Sequence, residues 1–113
     1  ASKATSMIKV KVVREGERVQ SFSLSGHADF ARKGQDIVCA GVSAVAFGSV
    51  NAILSLTNVK PKIDQAGKEG GYLEVTFPVT EEDEKVQLLI QAMLVSLQTI
   101  ERDYGKYMKI INS

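Results

Sequence analysis

Alternation of apolar and polar residues marks the first part of the chain as a β-hairpin. In Met7–Val13, lysines alternate with aliphatic residues, as expected for a strand with one buried face. A charged turn around Gly16 follows, and the alternation returns from Gln20 to Ser25. We therefore predict two antiparallel strands, the second of which ends next to Gly26.

An uncharged run of twenty-three residues, Ile37–Val59, dominates the middle of the chain. It is long enough to cross a membrane, but it is diluted by serine, asparagine and glycine, and much of its apolar content is alanine and valine. A helix packed on several sides explains the run better, and we expect no membrane contact. Asp36 stands where an N-cap belongs, so we predict that the helix begins at Ile37.

Two further strands, a second helix and a last strand are predicted after the uncharged run. Val59–Ile63 and Tyr72–Val79 are predicted strands joined by a glycine-rich turn. Thr80–Asp83 matches a capping box, and apolar residues at helical spacing follow it to about Asp103. Lys106–Ile111 is predicted to add a last short strand.

The element order ββαββαβ predicts an α+β fold, a single domain with a mainly antiparallel sheet and two helices. The chain has 113 residues, enough for one hydrophobic core. We assign residues 7–113 to this domain. Residues 1–6 are small and polar, and we expect them to be a remnant outside the native protein, which would start at Met7.

The amino-acid composition argues against several classes of function. A net charge of +1 gives no basic excess of the kind that nucleic-acid binders usually show, so we expect no direct nucleic-acid partner. The chain has one cysteine and one histidine, which argues against a zinc site, and we expect neither a metal nor a cofactor. A single cysteine also excludes an internal disulfide, which fits a cytoplasmic protein.

Cys39 is the candidate nucleophile. In a helix that begins at Ile37, its thiol would face unpaired N–H groups and the positive end of the helix dipole, both of which favour the thiolate. His27 lies on the connection that leads into this helix and is the candidate general base. Most free cysteines are buried small hydrophobic residues, so a structural role for Cys39 is the alternative.

Four other residues are candidates for supporting roles. The amides of Cys39 and Ala40 would be free at the helix start and are candidate oxyanion donors. Ser43 lies one helical turn after the cysteine and either contacts His27 or bonds its own helix. Gly26 supplies either unusual backbone geometry or a simple strand-end turn.

Asp36 is explained by N-capping alone, although its carboxylate could also orient the imidazole of His27. Asp29 competes for that orienting role. Because no third member of a triad stands out, a Cys–His dyad is the simpler interpretation.

The segments Gly26–Ala28 and Asp36–Ser43, with twelve residues from His27 to Cys39, resemble the ribosomal-processing cysteine protease family (Prp, YsxB-like). The resemblance covers Met7 to about Ile111. It implies a cysteine endopeptidase that removes a short N-terminal extension from ribosomal protein L27, cleaves after an aromatic pair and forms a homodimer.

Carried over by position, the resemblance makes Cys39 the nucleophile and His27 its base, and it links Gly26, Asp36 and Ser43 to activity. Two alternatives remain open from the residues. One is a non-catalytic dimeric module that binds the ribosome. The other is a thiol redox sensor, which the absence of a second cysteine argues against.

Overall fold

The computed structural model describes residues 7–26, 33–65 and 72–112, and for residues 33–36 it describes the backbone alone. These ranges contain two helices and five strands in the predicted order. The elements are β1 (Ile8–Glu15), β2 (Arg18–Ser25), α1 (Lys33–Leu56), β3 (Lys62–Asp64), β4 (Tyr72–Thr76), α2 (Asp83–Tyr104) and β5 (Met108–Asn112).

The strands form one sheet in the order β3-β4-β2-β1-β5. All neighbouring pairs are antiparallel except β1 and β5, which run parallel. The predicted hairpin is confirmed: Val12 pairs with Phe22 and Val10 with Leu24 across β1 and β2. The fold class is therefore α+β with a mainly antiparallel sheet, as predicted.

The helices contribute their apolar faces to a core that also takes one face of the sheet. The alternation in β1, β2 and β4 places their buried side chains on that face, which we call the inner face. The opposite, outer face carries polar side chains such as Lys9 and Lys11. The core side chains of the helices are Val38, Val42, Ala46, Val50 and Ile53 of α1 and Val86, Ile90, Met93, Leu94 and Leu97 of α2.

Residues Ile37–Leu56 of α1 have a mean hydropathy of 2.0 and by length and composition alone could cross a membrane. The same stretch supplies five core side chains and packs beside α2. A core helix of a globular domain can have the same length and hydropathy, and the packing of α1 fits that interpretation.

Several element boundaries differ from the predictions; the strand predicted over Tyr72–Val79, for example, ends at Thr76. Helix α1 begins at Lys33, four residues before the predicted start at Ile37, so Asp36 lies inside the helix and is not its N-cap. The predicted strand Val59–Ile63 is wrong at its start, because β3 begins only at Lys62. Val59 and Pro61 are buried without strand pairing, and proline lacks the N–H that a ladder requires.

The predicted capping box at Thr80 is also wrong. The N-cap of α2 is Glu82, and no side chain caps it. Thr80 instead forms the preceding turn, in which its hydroxyl accepts from the Glu82 amide at 3.1 Å and its carbonyl from the Asp83 amide at 3.1 Å. The Asp83 carboxylate turns away to bind the guanidinium of Arg18, at 2.9 and 3.1 Å.

Candidate active site

The candidate residues lie where β2 leads into α1. Gly26 is the last described residue after β2 and has a φ of 90°, a value that residues with a side chain rarely adopt. A Cβ atom at this position would overlap the carbonyl oxygen of Met7. Backbone packing therefore requires glycine at position 26. A simple strand-end turn, the alternative considered above, would not explain this requirement.

His27 and Asp29 lie outside the described residues. Positions 33–36, which precede the helix start predicted at Ile37, belong to α1. The dyad of His27 with Cys39 therefore stays a prediction, and the structure defines its two anchors, Gly26 and the start of α1.

Cys39 lies in the second turn of α1, six residues after Lys33. Its side chain is partly buried and packs against the core. It also lines an open cleft between α1 and the end of the sheet. A half-buried thiol at the wall of a cleft can be reached by a ligand that occupies the cleft.

The cleft, which we call the thiol cleft, has an apolar wall and a polar rim. The apolar side chains that line it come from α1 and from three strands: Ile8, Leu24, Val42, Phe47 and Leu73. The polar residues are Ser25, Ser43, Gln65 and Tyr72. No charged residue occurs among the described residues that line it, so the cleft suits an uncharged, apolar group.

The earlier start of α1 changes the predicted oxyanion hole. In an α-helix that begins at Lys33, the amides of Cys39 and Ala40 face the carbonyls of Gln35 and Asp36. The prediction that these two amides are free at the helix start is therefore wrong. Ala40 itself is exposed and does not belong to the described residues that line the thiol cleft.

Ser43 occupies the position predicted for it. It lies four residues after Cys39 on α1, is exposed, and lines the thiol cleft with the cysteine. Ser49, Thr57, Ser96 and Thr99 each donate their hydroxyl to the carbonyl four residues earlier. Ser43 makes no bond of that kind within the described part of the chain, so its hydroxyl is available to a ligand.

Tyr72 belongs to the polar rim of the thiol cleft, and its side chain follows the outer face of the sheet, as that of Glu74 does. Partial desolvation, the negative charge of Glu74 and a hydrogen bond to Glu74 raise the pKa of the Tyr72 phenol above its usual value. The charge of Asp64 acts in the same direction. The tyrosine therefore keeps its proton at neutral pH.

Sequence reasoning missed Phe47, Gln65 and Tyr72 as residues of this site. Phe47 is apolar inside an apolar run, and Gln65 and Tyr72 border a glycine-rich turn, so no periodic signal distinguishes them. The pairing of β3 with β4 brings Gln65 and Tyr72 to the same end of the sheet. Phe47 lines the thiol cleft from α1.

No cluster of histidine, cysteine and carboxylate residues suited to a metal occurs in the described ranges. Among the described residues that line the thiol cleft, the polar groups are a thiol, hydroxyls and a carboxamide, which are groups suited to acyl transfer.

The chain is similar to proteins of known name over nearly its whole length. The sequence model of a family described as Cysteine protease Prp matches residues 7–109. A Bacillus subtilis protein named ribosomal processing cysteine protease Prp is 46% identical over 108 residues, covering 92% of this chain and 96% of its own length. A Staphylococcus aureus protein of the same name is 46% identical over 105 residues, covering 92% of this chain and 97% of that protein.

Solved structures agree with these sequence matches. A crystal structure of an essential ribosomal processing protease Prp from Staphylococcus aureus, in complex with a substrate peptide, superposes with a TM-score of 0.85. It is 41% identical and covers 95% of this chain and 100% of that chain. A second structure of that protease, with a covalently linked product peptide, gives a TM-score of 0.83 at 44% identity, with the same coverage.

Proposed function

The chain belongs to the Cysteine protease Prp family, and from this premise we propose that it removes a short N-terminal extension from ribosomal protein L27. The observation that carries the proposal is the position of Cys39, the only cysteine, at the wall of an open apolar cleft. A cysteine with a purely structural role would not need to face a cleft. The relative with a covalently linked product peptide supports the same chemistry.

In the proposed mechanism, Cys39 and His27 form a thiolate–imidazolium pair. The sulfur attacks the peptide carbonyl carbon, the C–S bond forms, and the carbonyl oxygen becomes an oxyanion. When the C–N bond breaks, the imidazolium of His27 gives its proton to the leaving amine. His27 then takes a proton from water, whose oxygen attacks the thioester, and the thiolate is released with the new carboxylate.

Gly26 supports this proposal by holding the chain on which His27 lies. Its backbone is fixed against Met7 at the start of β1, while Cys39 is fixed in α1. Gly26 and Lys33, the first residue of α1, are seven positions apart in the sequence. Asp36, in the first turn of α1, and Asp29 are the two candidates to orient the imidazole of His27.

The apolar lining of the thiol cleft supports cleavage next to apolar residues. Phe47 is 41% exposed, although it is aromatic, and it lines the cleft on the same helix as Cys39. A large apolar side chain of the substrate would cover this surface and gain the free energy of its burial. We assign the aromatic pair of the family's cleavage site to this cleft.

We further propose a cytoplasmic homodimer. Between α1 and α2 lies a groove that we call the helical groove, lined by small residues and by Leu89 and Met93. Beside it on α2, Leu88 is 70% and Val95 is 59% exposed. Apolar patches of this kind are typical of interfaces, and a second copy that packs its own helices here would cover them.

Alkylation kinetics test whether Cys39 is a nucleophile. We expect iodoacetamide to modify the native protein at Cys39 rapidly at neutral pH, and the change His27→Ala to slow this reaction. An L27 peptide that spans the cleavage site should protect the thiol. Modification only on unfolding, or no effect of the peptide, would instead support the non-catalytic ribosome-binding module.

A further inference from the structure

Acyl transfer from Cys39 requires hydrogen-bond donors for the oxyanion. The two backbone amides predicted for this role are not free in the structure. The amides of Cys39 and Ala40 lie within α1, where the helix supplies their acceptors. The donors must therefore come from elsewhere around the thiol cleft. Among the described residues that line it, those with a hydroxyl or carboxamide side chain are Ser25, Ser43, Gln65 and Tyr72.

The sheet register divides these four residues between two faces. Ser25 pairs with Tyr72 across β2 and β4, and both follow the outer-face alternation. Glu74, the neighbour that raises the pKa of the Tyr72 phenol, follows the same outer face. Neither hydroxyl is therefore directed at the thiol from the inner side of the sheet.

Gln65 lies on the other face. Ile63 pairs with Val75 and Asp64 with Glu74. Gln65 is the next residue after β3, and continuing this register by one position would place it opposite Leu73. Because successive side chains alternate, Gln65 shares the inner face with Leu73, which is buried under the helices. Cys39 of α1 lines the thiol cleft together with Leu73 and Gln65.

Gln65 is exposed, and its carboxamide has no hydrogen bond to another described residue. By contrast, the carboxamide of Gln87 is fully engaged, with both of its ends bonded to the backbone of Val19. A free carboxamide offers two N–H donors in a rigid plane, a suitable group for stabilising a carbonyl oxygen that gains negative charge.

We propose that Gln65 is a catalytic residue whose side-chain amide donates to the oxyanion formed when Cys39 attacks the scissile carbonyl. The assignment rests on the proposed protease function. Gln65 approaches from the sheet side of the thiol cleft and Cys39 from the helix side, so the substrate carbonyl would lie between them. Ser43 is the competing donor, since its hydroxyl is also free, but it offers one proton and lies on the same helix as the thiol.

The test compares Gln65→Ala with Ser43→Ala and with Gln98→Ala, an exposed glutamine on α2. For Gln65→Ala we expect kcat on an L27 peptide to fall by about 100-fold with little change in KM. Affinity for a peptide aldehyde, which forms an oxyanion on the thiol, should fall by a similar factor. The rate of Cys39 alkylation by iodoacetamide should not change, because that reaction forms no oxyanion.

The outcomes distinguish a failure of the role proposed for Gln65 from a failure of the proposed protease function. If the wild-type protein neither cleaves the peptide nor binds the aldehyde, the protease proposal itself fails. If the wild type is active and Gln65→Ala retains its kcat, or changes KM alone, the role of Gln65 is refuted. A large loss in Ser43→Ala with none in Gln65→Ala would assign the donor to the serine. Gln98→Ala should match the wild type in every assay.

Discussion

Gly26 lies so close to the backbone of Met7 that position 26 has no room for a side chain. A Cβ atom there would overlap the Met7 carbonyl oxygen and lie 3.2 Å from the Cα atom of Ile8. The φ of 90° adds a second reason for glycine at this position. The direction in which the chain leaves β2 is therefore determined by packing against the start of β1, one residue before the proposed general base.

The change Gly26→Ala should therefore be more costly than an ordinary glycine substitution. We expect it to lower the free energy of unfolding by roughly 2 kcal/mol or more, because steric overlap adds to backbone strain. Gly16→Ala is the matched control: Gly16 also has a positive φ, 66°, but a methyl group at that position would have no atom within 4 Å. Its cost should be about 1 kcal/mol. Urea unfolding measures both, and equal costs would contradict the contact with Met7.

The side chain of Gln87 on α2 bonds the backbone of β2 at a position beyond the end of β4. Its side-chain oxygen accepts from the Val19 amide at 2.9 Å, and its side-chain nitrogen donates to the Val19 carbonyl at 3.0 Å. Val19 is fully buried. The carboxamide therefore replaces the strand that would otherwise pair with β2 at this position, and it ties α2 to the sheet.

Removing this side chain should leave two backbone groups without partners. We expect Gln87→Ala to lower the free energy of unfolding by about 1–3 kcal/mol, since a buried donor or acceptor left unpaired loses its hydration as well. Gln98→Ala, on the exposed face of the same helix, should change it by less than about 0.5 kcal/mol. Thermal or urea unfolding distinguishes the two variants, and similar small effects would show that water replaces Gln87.

The proposed homodimer makes a prediction about mass. Sedimentation at micromolar concentration should give about twice the chain mass of 12.2 kDa. Either Leu88→Glu or Val95→Glu should shift the protein to the monomer, because a charge in an apolar interface loses its hydration on association. Both side chains are exposed in the single chain, so the monomer should remain folded.

Ile111→Glu is the control for the dimer surface. Ile111 is also an exposed apolar residue, but it pairs with Lys11 on the outer face of the sheet, away from the helices. This variant should keep the wild-type mass. A wild-type monomer, or a dimer that only Ile111→Glu disrupts, would contradict an interface at the helical groove.

Hydrophobic periodicity was sufficient to predict the fold class and the order of the elements. The hairpin follows from strict alternation in β1 and β2, and α2 follows from apolar spacing that matches a helical turn, because both patterns report directly which face is buried. The start of α1 could not be predicted in the same way. Its first turn is polar, and a transition from polar to apolar residues at Asp36 looks like a helix start even when the helix has already begun.

The candidate site was only partly predictable. Cys39 and His27 stand out because each is the only residue of its type. Gln65 carries no such signal, since an exposed glutamine next to a glycine-rich turn is ordinary in any sequence. Its relevance depends on the pairing of β3 with β4, which is a long-range property of the sheet.

The central claim is that Cys39 cleaves the N-terminal extension of ribosomal protein L27 with His27 as its base. The most direct measurement is the intact mass of N-terminally extended L27 after incubation with the wild-type protein, with Cys39→Ala and with His27→Ala. Cys39→Ala should fold, because removing one sulfur atom from a partly buried position leaves only a small void. Circular dichroism checks the fold of both variants before the assay.

We expect the wild-type protein to shorten L27 at one position and neither variant to do so. Loss of the extension in the presence of Cys39→Ala would contradict the claim, as would an intact L27 after incubation with folded wild-type protein.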